Sequence, residues 1–242
     1  MHILAIDAGN TRIKWGAHED GSWRVQGGIA TARAARLARE WDKLDAPDAI
    51  LAANVAGARI ARSVAAAARR FRRRVHFVKS AEQQCGVKNS YERPAQLGAD
   101  RWAALIGARH LHRGACVVVN AGTTMTVDAL AADGVFLGGM IVAGPDLMRG
   151  ALIRGTAQLR PRRGGFAYFP ARTADAIESG AVNALAGAVE RMLHFMRQAG
   201  QQAPLTVVSG GAAPFLAPHL NGTVEVVDNL VLEGLLRIAL EK

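Results

Sequence analysis

Two short turns constrain this chain most. Asp7-Ala8-Gly9-Asn10-Thr11 and Asn120-Ala121-Gly122-Thr123-Thr124 share an Ala-Gly core and a threonine at the fifth position. Each follows a short apolar run, residues 2–7 in one case and Ala115 to Val119 in the other, and each opens a second strand. Residues Arg12 to Ala17 alternate polar and apolar, and Gly-Asn supports the positive φ angles of a tight hairpin, so the first turn reads as strand, turn, strand. A third strand near Trp23 to Gly27, a helix over about 31–43, a strand from Ala49 to Val55, a helix over about 57–70 and a strand from Val75 to Val78 follow. In the second of these helices Ile60, Val64, Ala67 and Phe71 recur at the spacing of one buried face. The order is β-β-β-α-β-α-β.

The second half repeats the opening. Strands are expected at Ala115 to Val119, Met125 to Ala129 and Gly134 to Val142, with a helix from Pro145 and a long one over about 173–199. Strand Leu205 to Val208, helix 213–219, strand Val224 to Val227 and a closing helix end the chain. A duplicated α/β fold with two facing hairpins accounts for both halves, divided as 1–114 and 115–242. At 242 residues and half hydrophobic, the chain has ample material for buried cores and is neither disordered nor fibrous.

Charge sets a second constraint. The formal net charge is +10, and all of the excess lies before residue 115, where 20 basic residues face 10 acidic ones. Such a half suggests anionic partners, nucleic acid among them. Yet Phe71 and Phe77 make no aromatic-and-basic groove pattern, and no helix-turn-helix or zinc-knuckle spacing is visible. The densest run, Arg69 to Arg74, reads as a solvated helix end with Phe71 turned inward. Nucleic acid is therefore not the expected partner. Cys85 and Cys116 lie in no metal-binding spacing and read as reduced thiols. Without a signal-like or membrane-spanning run, the chain is expected in the cytoplasm.

Chemistry concentrates at the turns and at one helix start. A glycine-containing hairpin rich in Asn and Thr presents N–H groups and short donors to an anion, and Lys14 adds a full charge. Asp7 is placed to hold a metal ion through water. One such hairpin would be ordinary turn geometry; two in one chain favour a grip on nucleotide phosphates. Gly98-Ala99-Asp100-Arg101 opens a helix, with Asp100 in the first turn. A carboxylate there can accept a hydroxyl proton while Arg101 holds an anionic group. An ionised, weakly basic Asp suffices for phosphoryl transfer, because positioning supplies most of the acceleration. The glycines of Gly138 to Gly144 allow backbone to approach either a ligand or another strand. Ser209-Gly210-Gly211 leaves room for a flat base against the chain.

Together, Asp7 to Thr11 with Lys14, Gly98 to Arg101, Gly122-Thr123 with Thr126 and Asp128, and Gly138-Gly139 through Gly144 resemble the type III pantothenate kinases. A further likeness is Thr173-Ala174-Asp175-Ala176-Ile177 with Gly180. The resemblance implies duplicated actin-like (ribonuclease H-like) domains with a nucleotide cleft, and ATP-dependent phosphorylation of pantothenate in coenzyme A synthesis. It implies ATP contacts from Asp7, Ala8, Gly9, Asn10, Thr11, Arg12, Ile13, Lys14 and Thr123, with Mg2+ near Asp7. Asp100 would be the proton acceptor. Tyr91, Gly98, Ala99, Asp100, Arg101 and Thr173 would contact pantothenate, and Thr173 would act across a homodimer. Two positions depart from the pattern. Asn120 stands where many relatives have an Asp that helps bind a monovalent cation, K+ or NH4+, so one ligand charge is missing. Ala143 replaces a common Pro. A kinase-like transcription regulator and a kinase of another small hydroxylated acid are the competing readings.

Overall fold

A computed structural model describes residues 1–156, 159 and 163–241. They form two compact units, one of residues 1–111 with 229–242, the other of residues 112–228.

In the first unit, β1 (Ile3–Ala8), β2 (Arg12–Glu19) and β3 (Ser22–Ala30) make an antiparallel meander. A short helix α1 (Leu37–Glu40) leads to β4 (Ala49–Asn54), and α2 (Ala58–Ala68) leads to β5 (Val75–Phe77). The sheet order is β3-β2-β1-β4-β5, with β4 parallel to both β1 and β5. Strand alternation sorts the side chains by face. Leu4, Ile6, Ala8, Ile13 and Trp15 join Leu37, Trp41, Ile60, Val64 and Phe71 in one core. Asp7, one residue out of step with Ile6 and Ala8, lies on the other face, as does Lys14, its partner across β2. Phe71 is turned inward, as its spacing indicated.

Two short strands that the sequence did not reveal, β6 (Gln83–Gln84) and β7 (Val87–Asn89), form a small hairpin before α3 (Ala99–Leu111). The helix expected over 31–43 is instead a 3-10 turn, Thr31–Arg36, followed by α1. Thr31 is tied to the first hairpin turn and Arg33 leaves helical geometry, so the Ala- and Arg-rich propensity is overridden locally.

The second unit repeats the meander with β8 (Cys116–Ala121), β9 (Thr124–Leu130) and β10 (Val135–Ala143). Helices α4 (Pro145–Gly155) and α5 (Thr173–Gln198) precede β11 (Leu205–Ser209), α6 (Ala213–Leu216) and β12 (Val224–Val226). Here the order runs β12-β11-β8-β9-β10, and β11 is parallel to β8 and to β12. Leu185, Val189, Leu193 and Met196 of α5 pack on Val117, Val119, Met125 and Val127. The helix foreseen over 213–219 stops at Leu216 and continues as a 3-10 turn, because Pro218 cannot extend the ladder.

The closing helix α7 (Leu230–Leu240) belongs to the first unit, whereas division at residue 114 would have put it in the second. The reason is packing: Leu230, Leu232, Leu235 and Leu236 are buried there. Trp23 donates its indole N–H to Glu233, and Asn229 donates to Gln26, which clasp the helix onto β3. Helices α3 and α7 cross at two glycines: a Cβ on Gly234 would lie 1.7 Å from the Ala103 carbonyl oxygen, and one on Gly107 would lie 2.6 Å from that of Leu230.

Candidate active site

The first turn is built by carbonyl bookkeeping. Gly9 N–H donates to Arg12 O at 3.0 Å and closes the hairpin, and Val55 N–H donates to Ala8 O at 3.1 Å. Thr31 supplies two more bonds: its hydroxyl donates to Gly9 O at 2.7 Å and its N–H to Thr11 O at 2.9 Å. Asn10, Thr11 and Arg12 are exposed along the rim, with Arg12 Nη2 reaching Gly28 O at 3.4 Å. Gly28 of β3 pairs with Lys14 of β2, and a Cβ there would lie 3.2 Å from Ile13 O and 3.3 Å from Arg12 Nη2. Ile13 is fully buried and anchors the start of β2 in the core.

Asp7 and Lys14 share the sheet face against which α7 packs, and Asp7 is close enough to Asp100, at the start of α3, for their charges to interact. Burial first, then repulsion by Asp100, pushes the Asp7 carboxyl up to about 7, against the opposing pull of Lys14. Asp100 is also shifted upward. Burial outweighs the N–H groups of Arg101 and of Asp100 itself and the Arg101 charge, all of which favour the carboxylate. Sequence position at a helix start suggested an ordinary, weakly basic carboxylate. Desolvation reverses that, and leaves Asp100 a stronger base once ionised.

The Gly-Ala-Asp-Arg motif has a local reason. Asp100 Oδ1 accepts from Arg101 N–H at 2.8 Å, and a Cβ on Gly98 would sit 2.6 Å from that same oxygen. Glycine at 98 therefore leaves the carboxylate its place, while Gly98 O accepts from Trp102 N–H to begin the helix. Arg101 is buried, and its Nη1 donates to the Tyr91 hydroxyl at 3.0 Å, with the guanidinium 5.8 Å from the ring centre. Tyr91 is held in turn by Asn89, whose Oδ1 accepts its N–H at 3.1 Å. Ser80 donates to the carbonyls of Pro94 and Leu97 and fixes the segment leading into α3. Ser80 and Thr31 escaped sequence reasoning because their partners lie far along the chain, and Asn89, whose partners Tyr91 and Pro94 are near, because a short polar residue at the end of β7 carries no motif of its own.

Asp7, Lys14, Tyr91, Gly98, Ala99, Asp100 and Arg101 thus fall in one unit, while Asn120, Thr123 and Thr173 fall in the other. In the second turn Gly122 N–H donates to Thr124 O at 3.0 Å, repeating the closure of the first hairpin at a different spacing. Thr123 is exposed and Asn120 half-buried at the end of β8. Gly144 and Gly210 press on this turn: a Cβ on Gly144 would meet Gly122 O at 2.1 Å, and one on Gly210 would meet Ala121 O at 2.3 Å. Within the run from Gly138 to Gly144, the close approach is thus made by Gly144, just past β10, and its neighbour is the second turn; a Cβ on Gly138 would meet nothing within 4 Å. Thr173 is exposed at the first position of α5. Among the described residues no cluster of three or more His, Cys, Asp or Glu side chains is arranged for a metal ion.

These motifs match a known family over most of the chain. The model of the type III pantothenate kinase family matches residues 3–194. The chain belongs to the type III pantothenate kinases. A type III pantothenate kinase of Aromatoleum aromaticum is 50% identical over 239 residues, covering 99% of this chain and 98% of the relative. Among solved structures, a Baf family protein from Campylobacter jejuni superposes with a TM-score of 0.65 at 18% identity, covering 97% and 96% of the two chains. Component A of (R)-2-hydroxyglutaryl-CoA dehydratase from Acidaminococcus fermentans gives 0.56 at 15% identity, with 99% and 96% covered. At such identities the structural likeness carries the fold alone, here the duplicated actin-like α/β architecture.

Proposed function

We propose that this pantothenate kinase transfers the γ-phosphoryl group of ATP to the 4′-hydroxyl of pantothenate, the first step of coenzyme A synthesis. The observation that carries the reading is that Asp100, followed by Arg101, lies within one unit near enough to Asp7, the strand partner of Lys14, for their charges to interact. In it, the backbone of Asp7, Ala8, Gly9, Asn10, Thr11, Arg12 and Ile13, with the Lys14 ammonium, binds the phosphates. Asp100 accepts the proton of the attacking hydroxyl, and its raised basicity serves that step. Arg101, held by Tyr91, binds the carboxylate of pantothenate, and the backbone at Gly98 and Ala99 lets the acceptor approach.

Mg2+ fits Asp7. A carboxylate pushed up by burial and by a second carboxylate gains from a cation, and Mg2+ keeps waters and substrate phosphates as its other ligands, needing no protein cage. When bound, it neutralises charge on the β- and γ-phosphate oxygens. Asn120 offers an amide oxygen to K+ or NH4+ with no charge, which makes for a weak monovalent-cation site. A homodimer belongs to the same reading, with Thr173 lining the acceptor pocket of the partner subunit. The exposed Ile141, Tyr168 and Phe169 supply apolar surface for such a contact. No helix of the described residues is long and apolar enough to cross a membrane, and the cytoplasm is the proposed location.

The direct test is Asp100→Asn. It should fold and bind ATP as the parent does while turnover falls by roughly 10²–10⁴-fold; near-parental turnover removes Asp100 from the role.

A further inference from the structure

A phosphate-binding turn has a problem that its N–H groups do not solve. Every peptide that presents an N–H also carries a carbonyl oxygen, and an unengaged carbonyl beside a phosphate repels it. In the first turn the carbonyls of Ala8, Gly9, Thr11 and Arg12 are each engaged by a donor of the protein: Val55 N–H, the Thr31 hydroxyl, Thr31 N–H and Gly9 N–H. Three of these donors are backbone groups that survive any substitution except proline. The fourth, the Thr31 hydroxyl on Gly9 O at 2.7 Å, depends on a side chain. Thr31 is 5% exposed, so water has little access to replace it.

We infer that Thr31 is a positioning residue for nucleotide phosphates: by holding the Gly9 and Thr11 carbonyls, it keeps the turn electropositive toward an anion and fixes its shape. The inference rests on the reading that this turn receives the ATP phosphates. Thr31 lies beyond the end of β3, twenty residues past the turn motif, and touches the turn only because the meander folds back: Arg12 pairs with Ala30, the residue before it. Replacing the hydroxyl by a methyl in Thr31→Val keeps the branched shape and the N–H bond to Thr11 O. It leaves Gly9 O without its donor, and that oxygen then acts against a phosphate.

The test compares ligands that differ in phosphate. Affinities for ATP, ADP and adenosine are measured by calorimetry for the parent, Thr31→Val, Thr31→Cys, Thr31→Ser and Lys14→Ala, with thermal unfolding of each. Loss of a buried donor to Gly9 O should weaken ATP and ADP binding by about tenfold in Thr31→Val. Adenosine affinity and the KM for pantothenate should stay within about twofold, inside the scatter of a surface-like change. Thr31→Ser restores ATP binding, and Thr31→Cys, with a weaker donor, falls between and carries the test if the valine variant does not fold. ATP binding at parental strength in the folded valine and cysteine variants, or an equal loss for adenosine, overturns the inference. The Lys14→Ala arm separates the two levels. If it loses ATP affinity while the Thr31 variants do not, the role of Thr31 alone is wrong; if it loses none, the phosphate reading of the turn fails and takes Thr31 with it.

Discussion

Replacing Gly234 with alanine should destabilise the first unit and reach the chemistry through helix α3. Alanine normally favours a helix over glycine by about 1 kcal/mol. Here the new Cβ would lie 1.7 Å from the Ala103 carbonyl oxygen, where ordinary contact begins near 3.4 Å. The difference, 3.4 − 1.7, asks α3 and α7 to separate by about 1.7 Å along that line, and both sides of the contact are helix backbone with no rotamer to yield. Overpacking of this kind costs about 3 kcal/mol at the upper end of its usual range, leaving a net loss near 2 kcal/mol. For a chain of this size that corresponds to a fall of roughly 4–8 °C in Tm. The control is Gly187→Ala on the exposed face of α5, where an added Cβ meets nothing within 4 Å. It should gain up to about 1 kcal/mol, a rise of roughly 2–4 °C. Thermal unfolding followed by circular dichroism reads both. Asp100 sits one turn before Ala103, so turnover of Gly234→Ala should fall beyond its loss of folded protein. A Gly234→Ala protein as stable as its parent, or one no worse than Gly187→Ala, would refute the reasoning from helix approach.

Asp7 imposes a pH-dependent cost on the ligand-free protein. Its carboxyl titrates at about 7 in the fold against 3.8 when unfolded, so the native state binds the extra proton between those values and stability falls as pH rises from about 4 to 7. Asp7→Asn should therefore match the parent in Tm near pH 4 and exceed it above pH 7, while losing Mg-ATP affinity; a Tm advantage independent of pH would contradict the assignment. Because Asn120 offers an amide oxygen and no charge, rates in Na+, K+ and NH4+ should differ little, and Asn120→Asp should increase the K+ response. A strong K+ requirement in the parent would show that the amide suffices as a ligand.

What could be read from the sequence was mostly what alternation and turn chemistry dictate locally. Asp7 to Lys14 lies on a strand-turn-strand because its residue pattern permits little else, and Asp100 begins α3 as expected. The features that escaped depend on distant partners. Thr31 looked like the start of a longer helix, and only its bonds to Gly9 and Thr11 show why that helix shortens. Helix α7 gave no sign of its unit, since its apolar residues would suit any core, and Gly107 with Gly234 decides the matter in three dimensions. The upward shift of Asp100 is a desolvation effect that no neighbour in sequence announces. The basic excess before residue 115 proved least informative. Arg12, Lys14 and Arg101 stand in the candidate site, while Arg70 and Arg73 of the densest run donate to backbone carbonyls of their own unit.

The central claim concerns the acceptor. ADP release in a coupled assay, measured across pantothenate, sugars and acetate with Mg-ATP, tests it most directly. Turnover is expected with pantothenate alone, lowered by roughly 10²–10⁴-fold in Asp100→Asn. Turnover with a sugar or acetate and none with pantothenate would contradict it.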